Sequence, residues 1–169
     1  FSLSKEHQAL QAKAKQFTEE VLFPHEMECE ENDGISKETH QQIIGQVLEY
    51  EFNAPNHSKE DGGQGFTIFE QTILNEQLGK ATGAIWDALW YPSFPMRFAN
   101  QAQKEEYLIP TCQGQRRDAY AITEADAGSD PSQCTTRADK VDGGWRINGE
   151  KWFVTIGDIA DYILVHAHV

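Results

Sequence analysis

The sequence predicts an α+β fold: an N-terminal all-α helical domain over residues 1–117, then an incomplete antiparallel β-domain over residues 118–169. Three observations predict it. Apolar residues recur at spacings of three and four through the first two thirds of the chain. Beyond residue 117 they fall into short runs parted by glycine-bearing turns. Asn148-Gly149 then supplies the strongest short-range hairpin signal in the chain.

Ser4 is placed to cap a first helix with the stripe Leu10, Ala14, Phe17 and Val21, stopped by Pro24. The acidic stretch Glu26 to Asp33, with Gly34, reads as a loop. Ser36 caps a second helix whose face is Ile43, Ile44, Val47 and Leu48. Glu51 to Gly65 holds Pro55, Gly62, Gly63 and Gly65, a long loop by composition. Phe66, Phe69, Ile73, Leu74 and Leu78 restore the helical period, and Gly79 stops it. Ala84 to Tyr91, with Trp86, Leu89 and Trp90, reads as a short buried helix ended by Pro92. Asn100 caps a last helix through Leu108, stopped by Pro110.

The β part opens with the apolar run Ala119 to Thr123. Thr135 to Val141 alternates weakly, and Asp142-Gly143-Gly144 turns the chain. Trp145 to Ile147 leads into Asn148-Gly149, and Trp152 to Thr155 resumes a strand. Asp161 to Val169, with Tyr162, Ile163, Leu164 and Val165, forms a further strand. It ends without a turn or partner signal, which leaves an open apolar edge that native proteins normally cover. The chain is therefore expected to be a piece of a longer protein. No internal repeat or low-complexity tract is present.

A length of 169 residues suits one domain plus part of another. Fourteen Lys and Arg against 27 Asp and Glu give a net charge of -13. That balance argues against nucleic acid and against anionic lipid as partners. A hydrophobic content of 39% with 11% aromatic residues is enough for a core. No apolar run approaches the roughly 18 residues of a membrane span. Phe1-Ser2-Leu3-Ser4-Lys5-Glu6 lacks the basic start and apolar stretch of a signal peptide. Cys29, Cys112 and Cys134 lie far apart with no Cys-x-x-Cys, and read as three reduced thiols. Between Glu19 and Asp61 there are 12 acidic and 2 basic residues. This segment is either a solvated acidic face or a docking surface for a basic partner.

Few residue patterns carry chemistry. His166-x-His168 would share one face of a strand, but two ligands alone make a weak metal site. Gly62-Gly63-Gln64-Gly65 could cradle a phosphate, yet no strand precedes it and no Lys-Ser/Thr follows, so it reads as a turn. Ser129 has no Gly-x-Ser-x-Gly frame. The informative stretch is Tyr120-Ala121-Ile122-Thr123-Glu124-Ala125-Asp126-Ala127-Gly128-Ser129-Asp130, a strand end entering a small-residue loop. Thr123 and Ser129 offer hydroxyls, and Gly128 lets backbone N–H groups approach a ligand. Downstream lies Asn148-Gly149-Glu150-Lys151-Trp152-Phe153-Val154-Thr155, where a strand would put Phe153 and Thr155 on one side. A flat ring packed on Phe153, with a hydrogen bond from Thr155, suits a flavin.

Together these two segments resemble the acyl-CoA dehydrogenase family. The first is similar to its Tyr-x-x-Thr-Glu-Pro-x-Ala-Gly-Ser-Asp signature, the second to its Asn-Gly-x-Lys-x-Trp-Ile-Thr strand. Glu60-Asp61-Gly62-Gly63-Gln64-Gly65 resembles the family's Glu-x-Gly-Gly-x-Gly loop, and Glu76-Gln77-Leu78-Gly79 its Glu-Glu-Leu-Gly helix end. Gln103 to Pro110 resembles Gln-Lys-x-x-Tyr-Leu-Pro with one residue added. Two departures stand out. Ala125-Asp126 replaces Pro-Gly or Pro-Asp, and Phe153 replaces a common Trp, keeping the stacking surface but losing the indole N–H.

The resemblance implies a helical domain, a middle β-domain and a C-terminal helical domain, the last absent from these residues. It implies FAD as cofactor and α,β-dehydrogenation of an acyl-CoA to the trans-2-enoyl-CoA. Tyr120, Ile122, Thr123, Gly128, Ser129, Phe153, Val154 and Thr155 would contact FAD, with Thr155 near the reactive ring nitrogen and Ser129 also meeting the acyl-CoA. No metal is implied. The catalytic glutamate belongs to the missing domain, so Glu124 is not the base and residues 1–169 alone are expected to be inactive. An electron-transfer flavoprotein would accept the electrons. The intact protein would be a tetramer or dimer, in the bacterial cytoplasm or the mitochondrial matrix. Acyl-CoA oxidases and nitroalkane oxidases share the architecture and remain alternatives, as does a non-catalytic helical module using the acidic face.

Overall fold

In the computed structural model, which describes residues 2–83 and 85–169, Ser4 opens the first helix. Its Oγ accepts the His7 N–H at 3.2 Å, satisfying a donor that the first turn leaves free. Helix α1 runs Lys5–Phe17 and continues as a π-turn, Thr18–Leu22. Pro24 does not end the helical path. It sits in a 3-10 turn, Phe23–His25, at a position where its missing N–H costs nothing. Helix α2, Glu26–Asn32, follows where the sequence reading places a loop. Only Cys29 is buried in it, so no apolar stripe marks it in the sequence. Glu26 and Glu28 in its first turn favour it through the helix dipole.

Those two carboxylates also join α2 to its surroundings. Glu28 Oε1 accepts the Ser36 N–H at 3.0 Å, and Glu26 Oε1 accepts the Thr82 N–H at 2.7 Å. Part of the acidic stretch is thus structural rather than merely solvated. Helix α3, Lys37–Glu49, is capped by Ser36 as expected. Ile43 and Val47 are buried, whereas Leu48 is 40% exposed, so the inward face is narrower than the apolar stripe.

The loop after α3 is held from within. Asn53 is buried and donates through Nδ2 to Gly62 O and Cys112 O, both at 3.0 Å. Its Oδ1 accepts Gln64 Nε2 at 2.8 Å. A Cβ on Gly63 would lie 2.5 Å from both Ala54 O and His57 O, so only glycine fits. The backbone N–H groups of Gly62, Gly63 and Gly65 donate to Lys59 O, Ser58 O and His57 O. They are engaged in the turn, which settles the Gly-rich segment as a turn and not a phosphate cradle.

Helix α4, Ile68–Leu78, carries a reciprocal capping box between Thr67 and Glu70. Ile73, Leu74 and Leu78 face inward, but Phe69 is 52% exposed with its ring edge-on to His7. The expected helix over Ala84 to Tyr91 is instead one 3-10 turn, Ile85–Ala88. Eight residues between Gly83 and Pro92 leave little room for a stable α-helix. Ile85, Ala88 and Leu89 are buried all the same. Ala84 and the Trp86 side chain lie outside the described residues, as does Phe1.

Asn100 caps the last helical run as expected. That run is α5, Gln101–Gln103, a π-turn Lys104–Leu108, and α6, Ile109–Cys112. Pro110 does not stop it. The Ile109 N–H reaches back to Lys104 O, and this widened turn admits the proline where α6 begins. Thr111 Oγ1 donates to Tyr107 O at 2.7 Å. The core of this first compact unit, which ends at Gln115, centres on Phe17, with Leu22, Ile43, Val47, Phe52 and Leu74 around it. The Phe17 ring meets Tyr50 at 5.2 Å and Phe52 at 5.5 Å, both edge to face.

The second unit, Arg116–Val169, holds four strands: β1, Asp118–Ala121; β2, Arg137–Val141; β3, Gly144–Asn148; and β4, Tyr162–Val165. Helices first and strands after is the predicted α+β order. The pairing is not antiparallel throughout: β2 and β3 are antiparallel, but β1 and β4 run parallel. Asp142-Gly143 makes the two-residue hairpin between β2 and β3, with Gly143 at φ 78°. Asn148-Gly149 makes none. At Gly149, φ is 153° and an added Cβ would collide with Thr136 Oγ1 and lie 2.7 Å from Thr136 Cα. This glycine serves a close backbone approach.

Trp152 to Thr155 is not a strand, because Phe153 adopts φ 52° and breaks extension. The last strand also ends early, at Val165. Beyond it the His166 N–H donates to Ala121 O at 3.0 Å and the His168 N–H to Thr136 O at 2.9 Å. The segment therefore crosses from β1 to β2, and the expected strand face shared by His166 and His168 does not form.

Candidate functional site

Two sequence-marked segments come together in the second unit. The Trp152 N–H donates to Thr123 O at 2.9 Å. Lys151 Nζ donates to Ile122 O and to Glu124 Oε1, each at 2.8 Å. The loop leaving β1 and the segment leaving β3 thus run side by side, tied at three successive residues of the first. The loop tip closes on itself. The Glu124 N–H reaches Ala127 O at 3.0 Å and the Ala127 N–H reaches Glu124 O at 3.2 Å, with Ala125-Asp126 as the turn.

Glu124 is the hub of this arrangement. Its Oε2 accepts the Thr135 N–H at 2.6 Å and the Thr135 hydroxyl at 2.8 Å. Its Oε1 accepts the Thr136 N–H at 2.9 Å beside Lys151. The two charged side chains are 7% and 10% exposed. The Lys151 ammonium, with the Thr136 and Thr135 donors after it, holds the Glu124 carboxyl far below the usual carboxylate range. A group so held does not take a proton near neutral pH, so it does not serve as a general base. The sequence reading excluded Glu124 from that role but missed its partner. The available signal was Lys151 in the Asn-Gly-x-Lys motif.

The predicted ligand residues lie around this hub. Tyr120 is half-buried on β1, with Ile122 and Thr123 half-buried just beyond its end. Gly128 and Ser129 are exposed on the far side of the loop turn, and nothing lies within 4 Å of a Cβ built on Gly128. Val154 is half-buried and Thr155 exposed. Phe153 is 84% exposed, with its ring edge-on to Trp152 at 5.9 Å. Phe153 and Thr155 do not share a strand face, since no strand forms there. Hydrogen bonds tie Ile122, Thr123 and Glu124 to Lys151 and Trp152, and none among the described residues ties Gly128 or Ser129 to 153–155.

These residues offer an uncovered aromatic ring at Phe153, open space over Gly128, and the hydroxyls of Ser129 and Thr155 with no partner among the described residues. The Glu124 carboxylate and the Lys151 ammonium neutralise each other. An aromatic ring, small residues and hydroxyls are chemistry that suits a flat, hydrogen-bonding ring such as a flavin. Among the described residues, no group of three metal-ligating side chains occurs. A cavity of 330 Å³ lined by Asn75, Leu78, Gly79, Leu89 and Tyr91 belongs to the helical unit and contains none of the predicted site residues.

Comparison with known proteins finds two family models in order along the chain. "Acyl-CoA dehydrogenase, N-terminal domain" matches residues 4–115 and "Acyl-CoA dehydrogenase, middle domain" matches residues 119–168. A short-chain specific acyl-CoA dehydrogenase of Clostridium acetobutylicum is 29% identical over 99% of this chain and 44% of its own length. The mitochondrial isovaleryl-CoA dehydrogenase of Arabidopsis thaliana is 30% identical over 89% of this chain and 38% of its own. The chain therefore spans less than half the length of these curated relatives. Among solved structures, the FAD complex of PigA aligns with a TM-score of 0.84 at 27% identity, covering 99% of this chain and 44% of that one. The FAD-complexed acyl-CoA dehydrogenase of Bacillus anthracis aligns with a TM-score of 0.80 at 25% identity, covering 98% and 29%.

Proposed function

This chain belongs to the acyl-CoA dehydrogenase family, and on that premise we propose that it is the helical and opening β portion of an FAD-dependent enzyme oxidising an acyl-CoA thioester. The observation that carries the reading is the junction of the 122–124 and 151–152 segments. When bound, FAD supplies the hydride acceptor for forming the α,β double bond. Tyr120, Ile122, Thr123 and Gly128 would line the ring and its approach. Phe153 would give it an apolar face, Val154 and Thr155 would edge it, and Ser129 would meet both FAD and the thioester.

The α-proton needs a base, and Glu124 is not it, because it is committed to Lys151, Thr135 and Thr136. That base would lie in the part of the protein beyond residue 169, and residues 1–169 alone would not turn over. An electron-transfer flavoprotein is the proposed electron acceptor, and what supports it is the family to which the chain belongs. A homotetramer or dimer is the proposed assembly, in the bacterial cytoplasm or the mitochondrial matrix according to the host.

The test uses the full-length protein purified from cells. It should carry flavin absorbance, bleach when an acyl-CoA is added without oxygen, and pass electrons to an artificial dye. Absence of flavin, with no binding of added FAD, overturns the reading. Rapid oxygen consumption in place of dye reduction would make it an oxidase of the same fold.

A further inference from the structure

The buried pair at the centre of the second unit has a role that its burial alone does not require. Each partner belongs to a different ligand-bearing segment: Glu124 follows Thr123 directly, and Lys151 stands two residues before Phe153. Lys151 Nζ holds not only the carboxylate but also Ile122 O, at 2.8 Å. One ammonium therefore fixes the residues on both sides of Thr123. Glu124 in turn binds the Thr135 and Thr136 N–H groups, which fixes the exit of the same loop as it enters β2. The backbone bond from the Trp152 N–H to Thr123 O, at 2.9 Å, lies between these two anchors.

The segments that this pair joins have weak support elsewhere. Residues 149–154 have no strand or helix of their own, and Phe153 holds a left-handed φ of 52°. A non-glycine residue keeps such a conformation only where its surroundings impose it. The imposed contacts immediately before it are those of Lys151 and Trp152.

We propose that Glu124 and Lys151 are positioning residues, a paired clamp that sets the spacing and orientation of the Ile122–Thr123 edge relative to the Phe153–Thr155 edge for a flat bound ring. The proposal rests on the flavin reading above and adds to it a device that acts through other residues and touches no reacting atom. The clamp works by geometry, so an ammonium of the right reach is needed and not simply a positive charge. Arg at position 151 brings a planar fork in place of a compact point and does not reproduce both contacts.

The test uses the full-length flavoprotein with Lys151→Met, which keeps the aliphatic stem, and with Glu124→Gln and the double change. FAD affinity is read by flavin fluorescence, and ring environment by the visible circular dichroism of bound flavin. The clamp predicts FAD binding weaker by about tenfold or more in Lys151→Met, the scale of one lost charge-assisted hydrogen bond. It predicts an altered flavin dichroism, no recovery in Lys151→Arg, and a double variant less impaired than the two single losses combined. Unchanged affinity and dichroism in a folded Lys151→Met overturn the clamp. Hydrogen exchange separates this outcome from failure of the flavin reading. If the wild-type protein binds no FAD, the functional reading falls. The clamp then still requires the Trp152 amide to exchange at least about tenfold faster in Lys151→Met, with helical-unit amides unchanged. Equal exchange at Trp152 overturns it.

Discussion

Lys151 Nζ lies 2.8 Å from Glu124 Oε1, and this pair joins segments 27 positions apart in the chain. Removing either partner leaves the other buried, but not equally. Without Lys151, Glu124 keeps the Thr135 N–H, the Thr135 hydroxyl and the Thr136 N–H. Without the carboxylate, Lys151 keeps only Ile122 O. A buried ammonium with one acceptor is the worse orphan. Glu124→Gln should therefore lower the melting temperature of the second unit more than Lys151→Met. The reverse order in a thermal scan would show that the threonine donors do not suffice to hold the carboxylate and that the ammonium governs the site.

The same pair sets an acid dependence. Lys151 first, then the threonine donors, depresses the folded-state pKa of Glu124. The unfolded carboxyl titrates near its ordinary value of about 4.3. Below that value the unfolded chain binds the proton that the folded chain refuses, so stability falls as pH drops. The contribution is complete at pH 7 and is lost progressively with acid from about pH 5 downward. Glu28, held low by the Ser36 N–H, and Glu70, held low by Thr67, act in the same direction. Urea midpoints measured from pH 7 to pH 3 should fall more steeply for wild type than for Glu124→Gln. Parallel slopes would remove Glu124 from the effect.

Phe17 is fully buried and its ring meets both Tyr50 and Phe52 edge to face. Phe17→Ala should cost about 3–5 kcal/mol, the range for a large aromatic removed from a core. Chemical denaturation with an unchanged m-value is the measurement. A loss under about 1 kcal/mol would mean that the site collapses around the cavity.

Gly149→Ala tests the close approach at Thr136. The new Cβ would collide with Thr136 and the backbone would keep a φ of 153° that alanine resists. The expected cost is about 1–3 kcal/mol, by overpacking and backbone strain together. A neutral substitution would place Gly149 in a relaxed loop.

The helical part was legible because its signals are local. Ser4, Ser36 and Asn100 each occupy the cap position that the sequence suggests. Helix α2 was hidden because Glu26–Asn32 buries only Cys29, so its helicity comes from charge placement and not from an apolar stripe. The β part misled where one residue type serves two purposes. Asn148-Gly149 has the composition of a hairpin, yet Gly149 answers to Thr136 while Asp142-Gly143 makes the turn. The parallel pairing of Asp118 with Tyr162 spans more than forty residues, and no local pattern encodes it. At the candidate site, the two segments were visible as motifs, but the Glu124–Lys151 link between them was not, since nothing in their spacing pairs them.

The most direct measurement is anaerobic rapid mixing of the full-length protein and its Thr155→Ala variant with an acyl-CoA, following flavin bleaching. Thr155 is exposed and its hydroxyl has no partner among the described residues, so its removal should leave the melting temperature nearly unchanged. If these segments hold the flavin, reduction should slow by about tenfold or more, the effect of losing a hydrogen bond to the ring as it takes up charge. A variant that reduces its flavin at the wild-type rate would contradict the placement of Thr155 at the ring.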